Sequence, residues 1–158
     1  MDSDKILVLG IGNYLMGDEG VGVHFANYLL SQDLPKNVDV LDGGTGGFYL
    51  TNYIESYPIV ILIDATLDDK TPGSTRLLEP HFSKDYPKVM STHDIGMKDL
   101  IEAMIFMGTL PKIYLFAVSI NSLQQQQVHL TQELEAILPE LRDKVFALVE
   151  RLRKPVAV

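Results

Sequence analysis

Two short apolar runs without polar alternation constrain the fold most strongly. They are residues 5–11, Lys-Ile-Leu-Val-Leu-Gly-Ile, and residues 59–63, Ile-Val-Ile-Leu-Ile. A strand that is exposed on one face alternates apolar and polar residues, whereas a strand covered on both faces is apolar throughout. Both runs are therefore predicted to be central strands of a parallel sheet with helices on each side, and the second is predicted to end at Asp64.

Helical and extended segments alternate along the rest of the chain, which is typical of βαβ units. A turn at residues 71–73, Thr-Pro-Gly, precedes a short strand whose brief connection favours antiparallel pairing. We predict a single domain spanning residues 1–158, with an α/β three-layer α/β/α sandwich, right-handed crossovers and a mostly parallel sheet. The other predicted elements are helices at 21–31 and 94–107, strands at 38–41, 75–79 and 113–118, a helical segment at 48–54 that stops before Pro58, a short turn capped by Thr131, and a helix opened by Pro139.

The charge balance narrows the classes of partner. Thirteen Lys and Arg against 21 Asp and Glu give a formal net charge of −8, which repels nucleic acids and anionic membrane surfaces and favours a cation. There is no cysteine, which excludes a thiolate nucleophile and Cys-ligated zinc. Because the first residues are acidic and no apolar stretch approaches about 20 residues, we expect a cytoplasmic protein. The sequence leaves the oligomeric state open, and a monomer is favoured.

Carboxylates follow three of the predicted parallel strands. Asp18 and Glu19 come after the first strand, Asp42 closes the second and Asp64 closes the third. Ligands of open α/β sheets bind beyond the carboxyl ends of the strands, where successive crossovers leave in opposite directions. If the first and third strands are neighbours, about 4.8 Å apart, Glu19 and Asp64 converge. Two nearby carboxylates repel each other unless a proton or a cation lies between them.

A histidine completes a candidate metal site. His93 lies in the segment Ser-Thr-His-Asp at residues 91–94, just before a predicted helix, where a loop can project it over the strand ends. Imidazole nitrogen favours nickel or zinc over calcium or magnesium. Two carboxylates and one imidazole leave coordination positions open for water or a substrate carbonyl, as hydrolysis requires.

Each of these residues also has a structural explanation. Asp18 and Glu19 can complement the dipole of the following helix, Asp64 can start a loop, and His93 can be a helix cap or a surface residue. The other histidines are predicted to be structural or surface positions; they are His24, His81 and His129. Only the combination of residues favours a functional site.

Residues 10–22, Gly-Ile-Gly-Asn-Tyr-Leu-Met-Gly-Asp-Glu-Gly-Val-Gly, resemble the motif of nickel-iron hydrogenase maturation endopeptidases. That motif reads Gly-x-Gly-Asn, a Leu, and an acidic pair followed by Gly-x-Gly. The resemblance continues at Asp-Gly-Gly-Thr-Gly, residues 42–46, at the strand ending in Asp64, and at residues 91–94. It covers about the first two thirds of the chain, in the same order and spacing.

The resemblance implies a peptidase that removes a C-terminal extension from the hydrogenase large-subunit precursor after nickel insertion. Position by position, the metal-binding residues of the family fall on Glu19, Asp64 and His93. Asp42 falls on the position linked to substrate recognition or cleavage, and its structural alternative is a loop-starting Asp before a glycine-rich turn. The implied metal is nickel, either resident or supplied by the precursor, with zinc or another divalent transition metal as alternatives. The implied fold is a five-stranded mixed sheet between helices.

One region departs from the family pattern. After the last strand, members often carry a segment with Gly and Pro, whereas this chain reads Ala-Val-Ser-Ile-Asn-Ser-Leu at residues 117–123. Four glutamines follow at 124–127 and are interpreted as a polar surface loop. The departure indicates a different hydrogenase class.

Two other functions compete with this interpretation. A nucleotide-binding module is disfavoured because Gly10, Gly12 and Gly17 give G-x-G-x-x-x-x-G, which lacks the dinucleotide spacing, and because Asp18 and Glu19 repel phosphate. A non-enzymatic protein that checks or delivers nickel can use the same ligands without cleaving a peptide, and that alternative stays open.

Overall fold

The computed structural model describes residues 4–80, 97–121 and 127–153. One five-stranded sheet has the strand order β2-β1-β3-β5-β4. The pairs among β1, β2, β3 and β5 are parallel, and β4 pairs with β5 in the antiparallel direction. The predicted mixed sheet with one short antiparallel strand is therefore confirmed. The strands are β1 Ile6–Gly10, β2 Val38–Asp42, β3 Ile59–Thr66, β4 Thr75–Leu78 and β5 Lys112–Ser119.

Helices cover both faces of this sheet, because the apolar strands present side chains to each side. The even-numbered residues Ile6 and Val8 face a cluster that contains α1 and α5, and the odd-numbered Leu7 and Leu9 face α2 and α3. No helix in the described part of the chain combines the length and the hydropathy needed to cross a membrane. The helices are α1 Val21–Leu30, α2 Leu50–Glu55, α3 Met97–Met107, α4 Gln132–Ala136 and α5 Leu138–Arg153, and a 3-10 turn at Gly17–Gly20 precedes α1.

The third strand is longer than the sequence predicted. Asp64 lies inside β3 and pairs with Ala117, and the ladder continues to Thr66, which pairs with Ser119. The prediction that the strand ends at Asp64 is therefore wrong. The reason is that the backbone of β5 offers pairing partners beyond the apolar run, so the ladder continues although the side chains become polar.

The predicted start of the third helix near residue 94 lies outside the described residues, as does the segment that carries His93. The described part of this helix begins at Met97 and ends at Met107. Gly108 follows with a φ of 71°, a left-handed conformation that glycine adopts readily after a helix. Gly108 therefore has the geometry of a glycine that ends a helix.

Helix α1 approaches the sheet unusually closely at Gly22. A Cβ atom on Gly22 would lie 2.8 Å from the backbone nitrogen of Ile11 and closer still to the carbonyl oxygens of Ile11 and Ile63. The helix backbone thus rests directly on the backbone of Ile11, which follows β1, and of Ile63 within β3, with no side chain between them. This contact holds the 3-10 turn that precedes α1 over the same edge of the sheet.

Candidate functional site

The carboxyl edge of β1 and β3 carries three buried carboxylates. The two strands are neighbours, with Gly10 opposite Ile63, which is the condition under which Glu19 and Asp64 were expected to converge. The 3-10 turn after β1 contacts β3. Asp18, Glu19 and Asp64 are only 2%, 3% and 4% exposed. Charged side chains are rarely buried to this extent unless they are paired or bind a metal.

Local hydrogen bonds orient the two predicted carboxylate ligands. The backbone N–H of Asn13 donates to Oε2 of Glu19 at 2.6 Å. The loop that follows β1 is therefore bound to a carboxylate of the 3-10 turn that comes next in the chain. The backbone N–H of Ala65 donates to Oδ1 of Asp64 at 2.8 Å. Gly20 is the N-cap residue of α1 and no side chain caps this helix, so neither Asp18 nor Glu19 serves as its hydrogen-bonding cap.

The carboxylate of Asp18 binds a distant part of the chain. Its Oδ1 accepts a hydrogen bond from the backbone N–H of Thr131 at 2.7 Å, and its Oδ2 accepts one from the Thr131 hydroxyl at 2.8 Å. Thr131 precedes α4 at its N-cap position, but its side chain makes no capping bond. Thr131 is therefore the N-cap residue, as predicted, but its hydroxyl donates to Asp18 and not to the helix.

Asp42 ends β2 at the wall of a cavity of about 580 Å³. Its Oδ1 accepts a hydrogen bond from the Gly44 N–H, and its Oδ2 accepts one from the Asn27 side-chain amide, both at 2.9 Å. The bond to Gly44 is the loop-starting geometry that the structural alternative predicted, and the carboxylate also borders a cavity. The cavity is lined by Tyr14, Val23, His24, Asn27, Asp42 and Gly44.

His24 belongs to the wall of the same cavity, although the sequence indicated only a structural or surface position. Its ring stacks on Tyr14 with the centroids 5.0 Å apart and an angle of 27° between the planes. Its Nε2 atom is buried and has no hydrogen-bond partner among the described residues. Burial lowers the pKa of His24 from its usual 6.5, outweighing the nearby Glu135 carboxylate, which raises it. The imidazole is therefore neutral at pH 7.

One sequence signal points to this cavity. His24 and Asn27 are three positions apart on α1, a spacing that places two side chains on the same helical face. The same face can therefore present both polar groups toward the end of β2. His93, the third predicted metal ligand, lies outside the described residues, so its place beside Glu19 and Asp64 stays a prediction.

Comparison with known proteins identifies the relatives of this chain. A family model described as hydrogenase maturation protease, HycI, matches residues 23–148. The hydrogenase 2 maturation protease of Escherichia coli is 32% identical over 146 residues, covering 90% of this chain and 89% of that protein. The solved structure of the hydrogenase maturating endopeptidase HybD from E. coli superposes with a TM-score of 0.83 at 31% identity, covering 94% of each chain.

Other relatives are longer proteins. The hydrogenase expression/formation protein HupD of Bradyrhizobium diazoefficiens is 40% identical over 114 residues, which cover 69% of this chain but 58% of that protein. For HupD of Rhizobium leguminosarum the covered share is 55%. The chain thus spans somewhat more than half the length of these two relatives. The family match and the full-length similarity to HybD together show that this chain belongs to the hydrogenase maturation protease family.

Proposed function

We propose that this chain is an endopeptidase that removes the C-terminal extension of a nickel-loaded [NiFe]-hydrogenase large-subunit precursor. The observation that carries the proposal is the near-complete burial of Glu19 and Asp64 at the carboxyl edge of two neighbouring strands. Buried carboxylates at one edge repel each other, and a divalent cation between them offsets that repulsion. Family membership supports peptide cleavage as the reaction and the hydrogenase precursor as the substrate.

The donor set fits a transition metal. Glu19 and Asp64 supply carboxylate oxygens, and His93 would add an imidazole nitrogen, which suits nickel or zinc better than calcium or magnesium. When bound, such an ion polarises a carbonyl group or lowers the pKa of a water. The hydrogen bonds from Asn13 and Ala65 support this assignment, since orienting bonds of this kind hold ligating carboxylates in place. The same three residues could bind either nickel carried by the precursor or a resident ion.

Asp42 is proposed to act on the peptide at the adjacent cavity. The two hydrogen bonds from Gly44 and Asn27 fix the direction of its carboxylate, and the side chain is exposed and so accessible to a substrate. The neutral imidazole of His24 lines the same cavity and adds no positive charge that would compete with a substrate group for Asp42. We assign Asp42 to recognition or cleavage of the segment that contains the scissile bond.

The direct experiment mixes the purified protein with nickel-loaded precursor and follows the precursor by mass spectrometry. We expect the precursor to lose a C-terminal fragment, and nickel-free precursor to remain uncut. The second candidate function, a nickel-checking or delivery protein, predicts binding of the loaded precursor without any change in mass. That outcome would overturn the peptidase assignment.

Variants separate the roles of the residues. Glu19→Gln, Asp64→Asn and His93→Ala are each expected to abolish metal binding, measured by calorimetry, and to reduce cleavage sharply. A His93→Ala variant with full activity would refute the three-ligand site.

Asp42→Asn is expected to lose cleavage and keep metal binding. The matched control is Asp39→Asn, since Asp39 lies on the same strand and contacts Tyr57, which does not line the cavity. Equal loss of cleavage in both variants would show that the effect arises from the strand and not from the site.

A further inference from the structure

The acidic pair of the 3-10 turn divides into two roles. Glu19 is the predicted ligand, whereas Asp18 uses both carboxylate oxygens to accept hydrogen bonds from Thr131, 113 positions further along the chain. We infer that Asp18 is a positioning residue, whose contact with Thr131 fixes the turn that carries Glu19. The importance of that turn rests on the proposed function, because Glu19 acts there as a metal ligand.

The contact between Asp18 and Thr131 is one part of a two-point attachment. The N–H of Gly17 donates to the carbonyl of Gln127 at 2.8 Å, and the N–H of Gln127 donates to the carbonyl of Leu15 at 3.0 Å. Residues 15–18 are thus bound to residues 127–131 by backbone bonds at one end and by the carboxylate of Asp18 at the other. We call this attachment the latch.

The 3-10 turn is short, so an attachment from outside can fix its position. It contains four residues, and no side chain caps its first residue. The N–H of Glu19 donates to the carbonyl of Met16 at 3.2 Å, which is a long hydrogen bond. The carboxylate of Glu19 is held from the same loop, by the N–H of Asn13. If the latch opens, the loop from Asn13 to Glu19 loses its connection to residues 127–131.

The carboxylate of Asp18 makes the latch strong. Asp18 is 2% exposed and its bonds to Thr131 are partly buried, and hydrogen bonds to a carboxylate are short and strong. The two observed distances of 2.7 and 2.8 Å agree with this class of bond. A conservative change at Thr131 removes one of the bonds and leaves the buried carboxylate in place, which makes Thr131 the better position to test.

The experiment compares Thr131→Val, which removes the hydroxyl and keeps the shape, with Thr131→Ser, which keeps the hydroxyl. The first measurement is amide hydrogen exchange at Asn13 in metal-free protein, because this N–H reports directly on the Glu19 carboxylate. We expect Thr131→Val to speed this exchange about 10-fold and Thr131→Ser to stay within about 3-fold of the parent chain. Amides in the centre of β3 should be unaffected in both variants.

The second measurement is cleavage of the loaded precursor. Thr131→Val is expected to lower kcat about 10-fold with little change in KM, since a displaced ligand affects the reacting atoms more than remote binding. Thr131→Ser should restore kcat. The matched control is Thr109→Val, which removes an exposed hydroxyl bond of 2.8 Å to Glu55 and should change neither measurement.

The outcomes distinguish this inference from the proposed function. Unchanged Asn13 exchange in Thr131→Val would overturn the latch, whatever the cleavage result. A Thr131→Ser variant as impaired as Thr131→Val would also overturn it, because the hydroxyl would then not be the cause. If Asn13 responds as expected while the parent chain cleaves nothing, the positioning role of Asp18 and Thr131 stands and the peptidase assignment fails.

Discussion

Replacement of Gly22 by alanine tests how closely α1 must approach the sheet. The added Cβ atom would lie 2.8 Å from the nitrogen of Ile11, whereas ordinary contact begins at 3.4 Å, so the helix must move by at least 0.6 Å, the difference between these distances. The obstructing atoms belong to the backbone of Ile11, directly after β1, and of Ile63 in β3, and backbone atoms cannot rotate away. Overpacking of this kind costs about 1–3 kcal/mol, and a clash with backbone belongs at the upper end.

The assay is thermal and urea unfolding of the Gly22→Ala variant. A loss of about 3 kcal/mol corresponds to a drop of about 6–12 °C in melting temperature for a chain of this length. The matched control is Gly108→Ala, where no atom lies within 4 Å and only the positive φ of 71° opposes a side chain. That strain costs about 1 kcal/mol.

The variant also tests the link between this contact and the site. Gly22 follows Glu19 by three positions, so a helix that rises from the sheet carries the turn with it. A misplacement of a catalytic group by about 1 Å can lower the reaction rate about 100-fold. We therefore expect the cleavage rate to fall by more than the loss of folded protein accounts for. A Gly22→Ala variant no less stable than Gly108→Ala would refute the close-packing argument.

Three further predictions follow from single contacts. Asn27→Ala removes one of the two described hydrogen-bond donors to Asp42. It should lower kcat/KM about 10-fold and shift the melting temperature by no more than about 2 °C. Unchanged kinetics would contradict the role of Asn27 in orienting Asp42. Burial and the hydrogen bond to Asp39 raise the pKa of Tyr57 to about 12. An ultraviolet titration should therefore show one phenol that ionises near pH 12, and this signal should be absent from Tyr57→Phe. Because the folded-state pKa lies above the ordinary value of 10.0, the contribution of Tyr57 to stability is complete below pH 10. That contribution is lost as the pH rises toward 12. For His24, an NMR titration should give a midpoint below 6.5, and a midpoint at or above 6.5 would contradict the buried imidazole.

Local patterns in the sequence predicted most of the fold. The two apolar runs form the neighbouring strands β1 and β3, and the turn at residues 71–73 precedes the antiparallel β4. These elements could be predicted because strand burial and turn geometry depend on residues that are close in the sequence. The adjacency of β1 and β3 placed the segments carrying Glu19 and Asp64 at one edge. The metal-binding role of these residues stays a prediction, as does the part played by His93.

Contacts between distant segments could not be predicted in this way. Nothing near Asp18 in the sequence indicates Thr131, since the contact depends on how the fold brings residues 127–131 to the 3-10 turn. The stacking of His24 on Tyr14 also depends on how the loop folds. Helical periodicity therefore predicts that His24 lies in a helix but not that it contacts Tyr14. The polar end of β3 was misjudged for a related reason, because its pairing depends on the length of β5.

The order of the strands in the sheet has a consequence for synthesis. Strand β4 leaves the ribosome before β5, yet β5 is its pairing partner and lies between it and β3. A nascent chain that ends before Lys112 therefore exposes the open edge of β3, which carries the apolar run of residues 59–63, and unpaired apolar edges promote aggregation. The C-terminal third must arrive before the sheet can close, and shortened versions of this chain that lack β5 will fail to accumulate as folded protein.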